Sequence, residues 1–224
     1  SVSPTSNTFS YSAEIGRKAL HLFALIIPFG MWWLEVPLAL YIVGGLAVTG
    51  ILADVVRAYS PAFNRWIRGV FGPLMRIEEI PPVGTGVIFN GATCVLVGAT
   101  LLALIFPIRV AVPVLTMTML ADAAAAIVGR WLGDHPWGHL SATVEGSLAF
   151  IFTGLLVMGL FPVVSFGPAL ACVVVASIVE ALPLPVNDNI RVPLAAALVV
   201  AASEAVLFGR PFPLFAGLGA CVPT

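Results

Sequence analysis

Apolar residues recur along this chain in long runs that break only at charges, prolines and glycines. They fall at 19–34, 36–56, 83–106, 110–129, 146–165, 166–182 and 192–208. A bilayer crossing takes about 20 apolar residues, so the pattern predicts an all-α, polytopic membrane protein of about seven transmembrane helices. The first run is short and separated from the second by little more than Glu35 and Pro37, and Pro28 is expected to kink it. Residues 1–13 read as a polar tail, 14–208 as one transmembrane domain, and 209–224 as a C-terminal tail.

Composition agrees with the pattern. The chain of 224 residues is 60% hydrophobic and only 9% charged, with a mean hydropathy of +1.07, which leaves little for a soluble domain. A net charge of −1 gives no nucleic-acid footprint. Cys94, Cys172 and Cys221 share no CxxC spacing and fit a role as core filler rather than a zinc or disulfide framework.

With 57–82 set on one side of the membrane, eight of the ten basic residues share that side: Arg17, Lys18, Arg57, Arg65, Arg68, Arg76, Arg130 and Arg191. The excess of Lys and Arg on cytoplasmic loops then sets the N-terminus in the cytoplasm, in the inner membrane if the source is prokaryotic. Nine of the eleven acidic residues gather on the same face, although no charge rule requires it. That convergence suits an enzyme working at the membrane surface better than a carrier, whose polar groups sit near the midplane.

Several constellations on this face could carry chemistry. Glu14, Arg17, Lys18 and His21 are spaced i, i+3, i+4 and i+7 and share one helical face; a snorkelling anchor would use the cations equally well. Asp122 precedes Arg130 by eight residues, about 12 Å along a helix, and lies beside the small residues Ala123 to Ala126. An ionisable group at that depth costs several kcal/mol and calls for a cation, a metal or a water-filled cleft, unless it only makes a structural hydrogen bond between close-packed helices. Thr143, Glu145 and Ser147 offer oxygens at a helix start, where Thr143 also fits a simple N-cap. Glu180, Asn187, Asp188, Asn189 and Arg191 surround a proline-stiffened turn whose oxygens suit Mg²⁺. In RIEEIPPVGTG, Gly84 and Gly86 would let backbone approach a ligand, and a helix N-terminus just beyond would attract an anion. P-loop, protein-kinase, zincin and GxSxG signatures are absent.

The ordered pieces EIGRKALHL, RIEEIPPVGTG, ADAAAAIVGRWLG with TVEGSLAF, and VEALPLPVNDNIRVPL resemble the dolichol kinase, phytol kinase and yeast-type CTP-dependent diacylglycerol kinase family. The resemblance covers residues 14 to about 201. It implies a membrane-embedded kinase that moves the γ-phosphoryl group of CTP, or another nucleoside triphosphate, to the hydroxyl of a lipid alcohol with Mg²⁺ as cofactor. Asp122, Glu145 and Asp188 would then be the catalytic and metal-holding carboxylates. Arg17, Lys18, Arg76, Gly84, Gly86, Arg130, Thr143 and Arg191 would bind the nucleotide phosphates, with His21, Glu78, Glu79, Glu180, Asn187 and Asn189 around the substrate. Two positions depart from the family pattern: Ala121 precedes Asp122 where glycine is usual, and Ala142 stands where a lysine often does. Another lipid phosphotransferase and a non-enzymatic carrier are the competing readings. The lipid alcohol and the oligomeric state have no linear signature.

Overall fold

The computed structural model describes residues 22–34, 36–72, 75, 79, 81–138 and 142–215. Among them run eight helices and no strand: α1 (Ile26–Trp33), α2 (Val36–Tyr59), α3 (Pro61–Phe71), α4 (Gly91–Ile105), α5 (Ile108–Trp131), α6 (Val144–Gly159), α7 (Phe166–Ala181) and α8 (Asp188–Phe208). The chain is an all-helical, membrane-type protein. α2, α5 and α8 are long and apolar enough to cross a bilayer, and α4, α6 and α7 are shorter apolar helices.

α5 occupies the centre. It packs against α1, α4, α6 and α8, while α7 bridges α6 and α8, and α2 lies outside against α4. The burial pattern follows from those positions. In α5 the stretch from Val110 to Met119 is buried on every side, whereas α2 turns Leu38, Tyr41, Ile42, Leu46 and Leu52 outward. A helix apolar all round belongs in a core or in lipid, and both cases occur here.

Proline and glycine positions explain the local departures from ideal helix. The helix expected over 19–34 is interrupted at Ala24–Leu25, four residues before Pro28, where the ring would collide with the carbonyl of residue 24. Pro193 lies inside α8 and lacks the amide that would bond the Asn189 carbonyl. That carbonyl instead faces Gly98 of α4, so closely that a Cβ at position 98 would lie 2.2 Å from it. On the other side of the core, a Cβ on Gly146 would meet the Ala125 carbonyl at 3.1 Å. Small residues thus set the spacing of α5 and α6, as they do between packed membrane helices.

A direct consequence is that Gly98→Ala forces α4 and α8 apart. We expect a loss of about 1–3 kcal/mol or more, as for other overpacked sites, measured as the unfolding midpoint in detergent. Gly45→Ala, where the added methyl has nothing within 4 Å, is the control and should leave the midpoint unchanged.

Two expectations are corrected. The apolar run 83–106 is not one helix: α4 starts at Gly91, because Pro81 and Pro82 and the left-handed Gly84 (φ 89°) and Gly86 (φ 131°) hold 81–90 as an irregular strap. The segment 57–82, set on one side of the membrane as the connection between two apolar runs, contains α3. Its first residue, Arg57, is buried with 4% exposure. At the opposite end of the bundle, residues 209–215, the described part of the segment 209–224 read as a tail, lie against it: the Phe215 amide donates to the Ile105 carbonyl at 2.6 Å, and Arg109 stacks over Phe212. There the buried Glu204 accepts the Ser165 amide at 2.6 Å, ahead of α7.

Candidate active site

Short connections reverse successive apolar helices, so one end of the bundle collects the C-termini of α2, α5 and α7 and the N-termini of α4, α6 and α8. A cleft opens at this end. Asp122 from α5, Glu180 from α7, and Asp188 and Asn189 from α8 supply its polar wall; Val95, Leu115, Met119 and Phe150 supply apolar lining. Asp122 is half-buried. Four residues singled out from two separate stretches of sequence therefore line one cavity.

The turn into α8 is tied by its own side chains. Asn187 caps the helix, its Oδ1 accepting the Asn189 amide at 3.0 Å. The Arg191 guanidinium donates through Nε to Asp188 Oδ1 at 2.9 Å, and through Nη2 to the same oxygen. Its Nη1 reaches the Leu182 carbonyl at 2.7 Å, and Nη2 the Glu180 carbonyl at 3.4 Å. Arg191 thereby clamps the end of α7 to the start of α8 and satisfies carbonyls that a helix terminus leaves open. Asp188 enters the cleft already neutralised by it.

The strap 81–90 is positioned by a network that sequence reasoning missed. Asp54, 2% exposed, accepts Arg57 Nη2 at 3.0 Å, the Asn90 amide at 3.0 Å and the Asn90 Nδ2 at 2.9 Å. Arg57 continues to the carbonyls of Glu79 (2.5 Å) and Ile88 (2.9 Å), and the Gly84 amide closes the end of α2 on the Ala58 carbonyl at 2.9 Å. From Asn90 the chain enters α4 with its side chain accepting the Thr93 amide. Glu79 Oε1 takes the Gly91 amide at 3.1 Å, and the Gly91 carbonyl accepts Asn189 Nδ2 at 3.4 Å. A hydrogen-bonded path thus runs from the buried pair to the cleft. A carboxylate three residues before an arginine at the end of an apolar run was the available signal.

Gly84 and Gly86, expected beside an anion, lie on this strap. Both glycines lie several residues before the N-cap of α4, and the first-turn amides of Gly91 and Thr93 already donate to Glu79 and Asn90. Thr143 is likewise engaged as the N-cap of α6, accepting the Gly146 amide at 3.1 Å.

Glu145 does not line the cleft. Its carboxylate holds His135, with Oε1 2.5 Å from Nδ1 and Oε2 accepting the His135 amide at 3.3 Å. Around this pair the α5–α6 connection doubles back: the Trp137 amide reaches the Ala142 carbonyl, the Val144 amide reaches the His135 carbonyl, and Trp137 Nε1 donates to Ser147 Oγ at 3.1 Å. Arg130 is exposed at the end of α5. Arg17, Lys18, His21, Arg76 and Glu78 lie outside the described residues. Among the described residues no group of three His, Cys, Asp or Glu side chains is gathered as a metal cage.

The His135–Glu145 pair is pH-dependent. Its hydrogen bond to Glu145, and then the charge of that carboxylate, raise the His135 pKa above its ordinary value. A raised histidine contributes fully below the unfolded value near 6.5 and loses its contribution as pH rises through the folded one. With the ring 77% exposed, solvent keeps the effect small. Hydrogen exchange at the Trp137 and Val144 amides, corrected for intrinsic rates, should therefore be more protected at about pH 6 than at about pH 8, and His135→Ala should abolish the difference.

No family model matches the chain, and no solved structure matches it. Curated relatives do. The chain is 30% identical to CTP-dependent diacylglycerol kinase 1 of Schizosaccharomyces pombe over 156 residues, 67% of this chain and 68% of the relative. It is 26% identical to the phytol kinase of Synechocystis over 206 residues, 88% of this chain and 82% of that one. The CTP-dependent diacylglycerol kinase 1 of Eremothecium gossypii matches at 32% over 112 residues, half of this chain and a third of the relative. Similarity that spans most of the chain and of the first two relatives leads to one conclusion: the chain belongs to the CTP-dependent lipid kinase family.

Proposed function

We propose that this protein transfers the γ-phosphoryl group of CTP to the hydroxyl of a membrane lipid alcohol, at the cytoplasmic end of seven membrane-crossing helices. The observation that carries the reading is the single cleft in which Asp122, Glu180, Asp188 and Asn189 meet above apolar lining. A lipid alcohol presents its hydroxyl from the bilayer, and the triphosphate arrives from water; a mainly apolar cleft edged by carboxylates at a bundle end suits both.

In the reaction the bond between the γ-phosphorus and the bridging oxygen breaks, a bond to the alcohol oxygen forms, and CDP leaves. The hydroxyl proton passes to a carboxylate of the cleft. Phosphoryl transfer depends mostly on positioning and charge neutralisation. Carboxylate and amide oxygens form the hard donor set that Mg²⁺ prefers, and that ion takes one or two carboxylates together with substrate phosphates and water rather than a closed protein cage. Asp122 and Asp188 would hold it, and when bound it supplies neutralisation of phosphate charge. Arg130 stands at the cleft end of α5, where a cation can meet the nucleotide. Arg191 fixes the orientation of Asp188.

The test is phospholipid formation by the purified chain in lipid nanodiscs, with CTP, ATP, GTP and UTP against diacylglycerol, phytol and polyprenol. We expect turnover with CTP and one alcohol class. No transfer with any pair at any Mg²⁺ concentration would overturn the kinase reading in favour of a lipid carrier. The orientation has its own check: single cysteines at Ser60 and Asn187, in a cysteine-free background, should react with an impermeant maleimide only after the cytoplasmic face is opened.

A further inference from the structure

α3 is an amphipathic helix that nothing in the phosphoryl-transfer reading uses. Ser60 caps it, its Oγ accepting the Phe63 amide at 3.3 Å, and Pro61 occupies the first turn. Phe63, Trp66, Ile67 and Val70 are spaced i, i+3, i+4 and i+7 and form one face, and Arg65 and Arg68 lie on the other. The Phe63 and Trp66 rings pack together with centroids 5.7 Å apart. Trp66, Val70 and Phe71 are nonetheless 59%, 53% and 47% exposed. The helix packs on α2, and only Asn64 is buried.

We infer that α3 lies flat in the headgroup layer at the cleft end of the bundle, with its apolar face in the acyl boundary and Arg65 and Arg68 against anionic lipid phosphates. Three observations select this occupant. The outward flank of α2, through Leu52, Val56 and Tyr59, is exposed and runs directly into α3 with only Ser60 between, so the apolar face of α3 continues a surface already facing lipid. A single-turn-wide apolar stripe with aromatic residues and an opposing basic face is the pattern of an interfacial helix, which sinks about 5–10 Å below the headgroups. Both cations are exposed and of the sign that the anionic leaflet attracts. The helix then sets the depth of the strap 81–90 and of the cleft behind it.

The test uses the full chain, in a cysteine-free background, reconstituted in phosphatidylcholine vesicles with or without phosphatidylglycerol. Nitroxides are placed at Val70→Cys on the apolar face and Gly69→Cys at its polar edge, where an added side chain meets nothing within 4 Å. We expect the ratio of oxygen to nickel-complex collision to be severalfold higher at 70 than at 69. Adding phosphatidylglycerol should raise it further, and Arg65→Gln/Arg68→Gln should remove that increment. For each arginine an attraction of about 1 kcal/mol corresponds to about fivefold in local anionic lipid. Two equally nickel-accessible labels would show a helix standing in water and overturn the inference. A label at 70 shielded from both reagents would show the face covered by protein, such as a second copy, and overturn it equally. Lipid contact that ignores phosphatidylglycerol, or persists unchanged in the glutamine pair, would overturn the anionic-lipid part.

Discussion

Asp122→Asn leaves the bundle folded and lowers phosphoryl transfer by about a thousandfold or more, the equivalent of about 4 kcal/mol of transition-state stabilisation. The substitution keeps the shape of the side chain and its ability to hydrogen-bond, and removes its charge. A purely structural aspartate at a helix contact should tolerate that change, and a carboxylate required for charge neutralisation or proton transfer should not. The readout is the initial rate of phospholipid formation beside the unfolding midpoint in the same detergent. Near-normal turnover would return Asp122 to a packing role. The other two carboxylates should rank below it for reasons visible in their surroundings. Asp188→Asn also releases the Arg191 clamp, so it should lose stability together with rate. Glu145→Gln touches a carboxylate turned toward His135 rather than into the cleft, and should cost the least.

Much of this architecture could be read along the chain because lipid imposes a one-dimensional rule: backbone groups must be satisfied within each segment, so apolar runs become helices. All seven runs contain a helix. The failures arose where the chain leaves that rule. α3 was hidden because Arg65 and Arg68 lower its mean hydropathy below that of a span, although the spacing of Phe63, Trp66, Ile67 and Val70 carries a helical period. The start of α4 was misplaced because Val83, Val87 and Ile88 are apolar, and only Pro81, Pro82 and the positive-φ glycines mark the strap. Cleft residues could be named singly, since a charge at the end of an apolar run is conspicuous, but their grouping depends on helix order in space. Glu145 looks equivalent to Asp122 and Asp188 in sequence and is set apart only by the contacts that bring 142–144 beside 135–137. The Asp54–Asn90 link joins residues 36 apart and has no linear signature.

That link leads to the other large expectation, that Arg57→Ala costs about 3–5 kcal/mol of stability. Asp54 and Arg57 are 2% and 4% exposed, and truncating the arginine strands a buried carboxylate while freeing the carbonyls of Glu79 and Ile88. The two Asn90 donors to Asp54 remain, so the carboxylate keeps partners but loses its counter-charge. If that uncompensated charge dominates the loss, Asp54→Asn in the Arg57→Ala background should restore part of it, because a neutral amide no longer requires a cation. If the carbonyl bonds dominate, the double variant should be no better than the single one. Unfolding midpoints of the two variants in detergent separate these cases. Activity follows the same connection: with the strap loosened, Glu79 no longer holds the Gly91 amide in place, and the Gly91 carbonyl no longer positions Asn189 at the cleft. Arg57→Ala should therefore slow transfer even at temperatures where the protein remains folded, with Asp54→Asn recovering stability more than rate. Unchanged turnover in a folded Arg57→Ala protein would confine the network to stability and detach the strap from the chemistry.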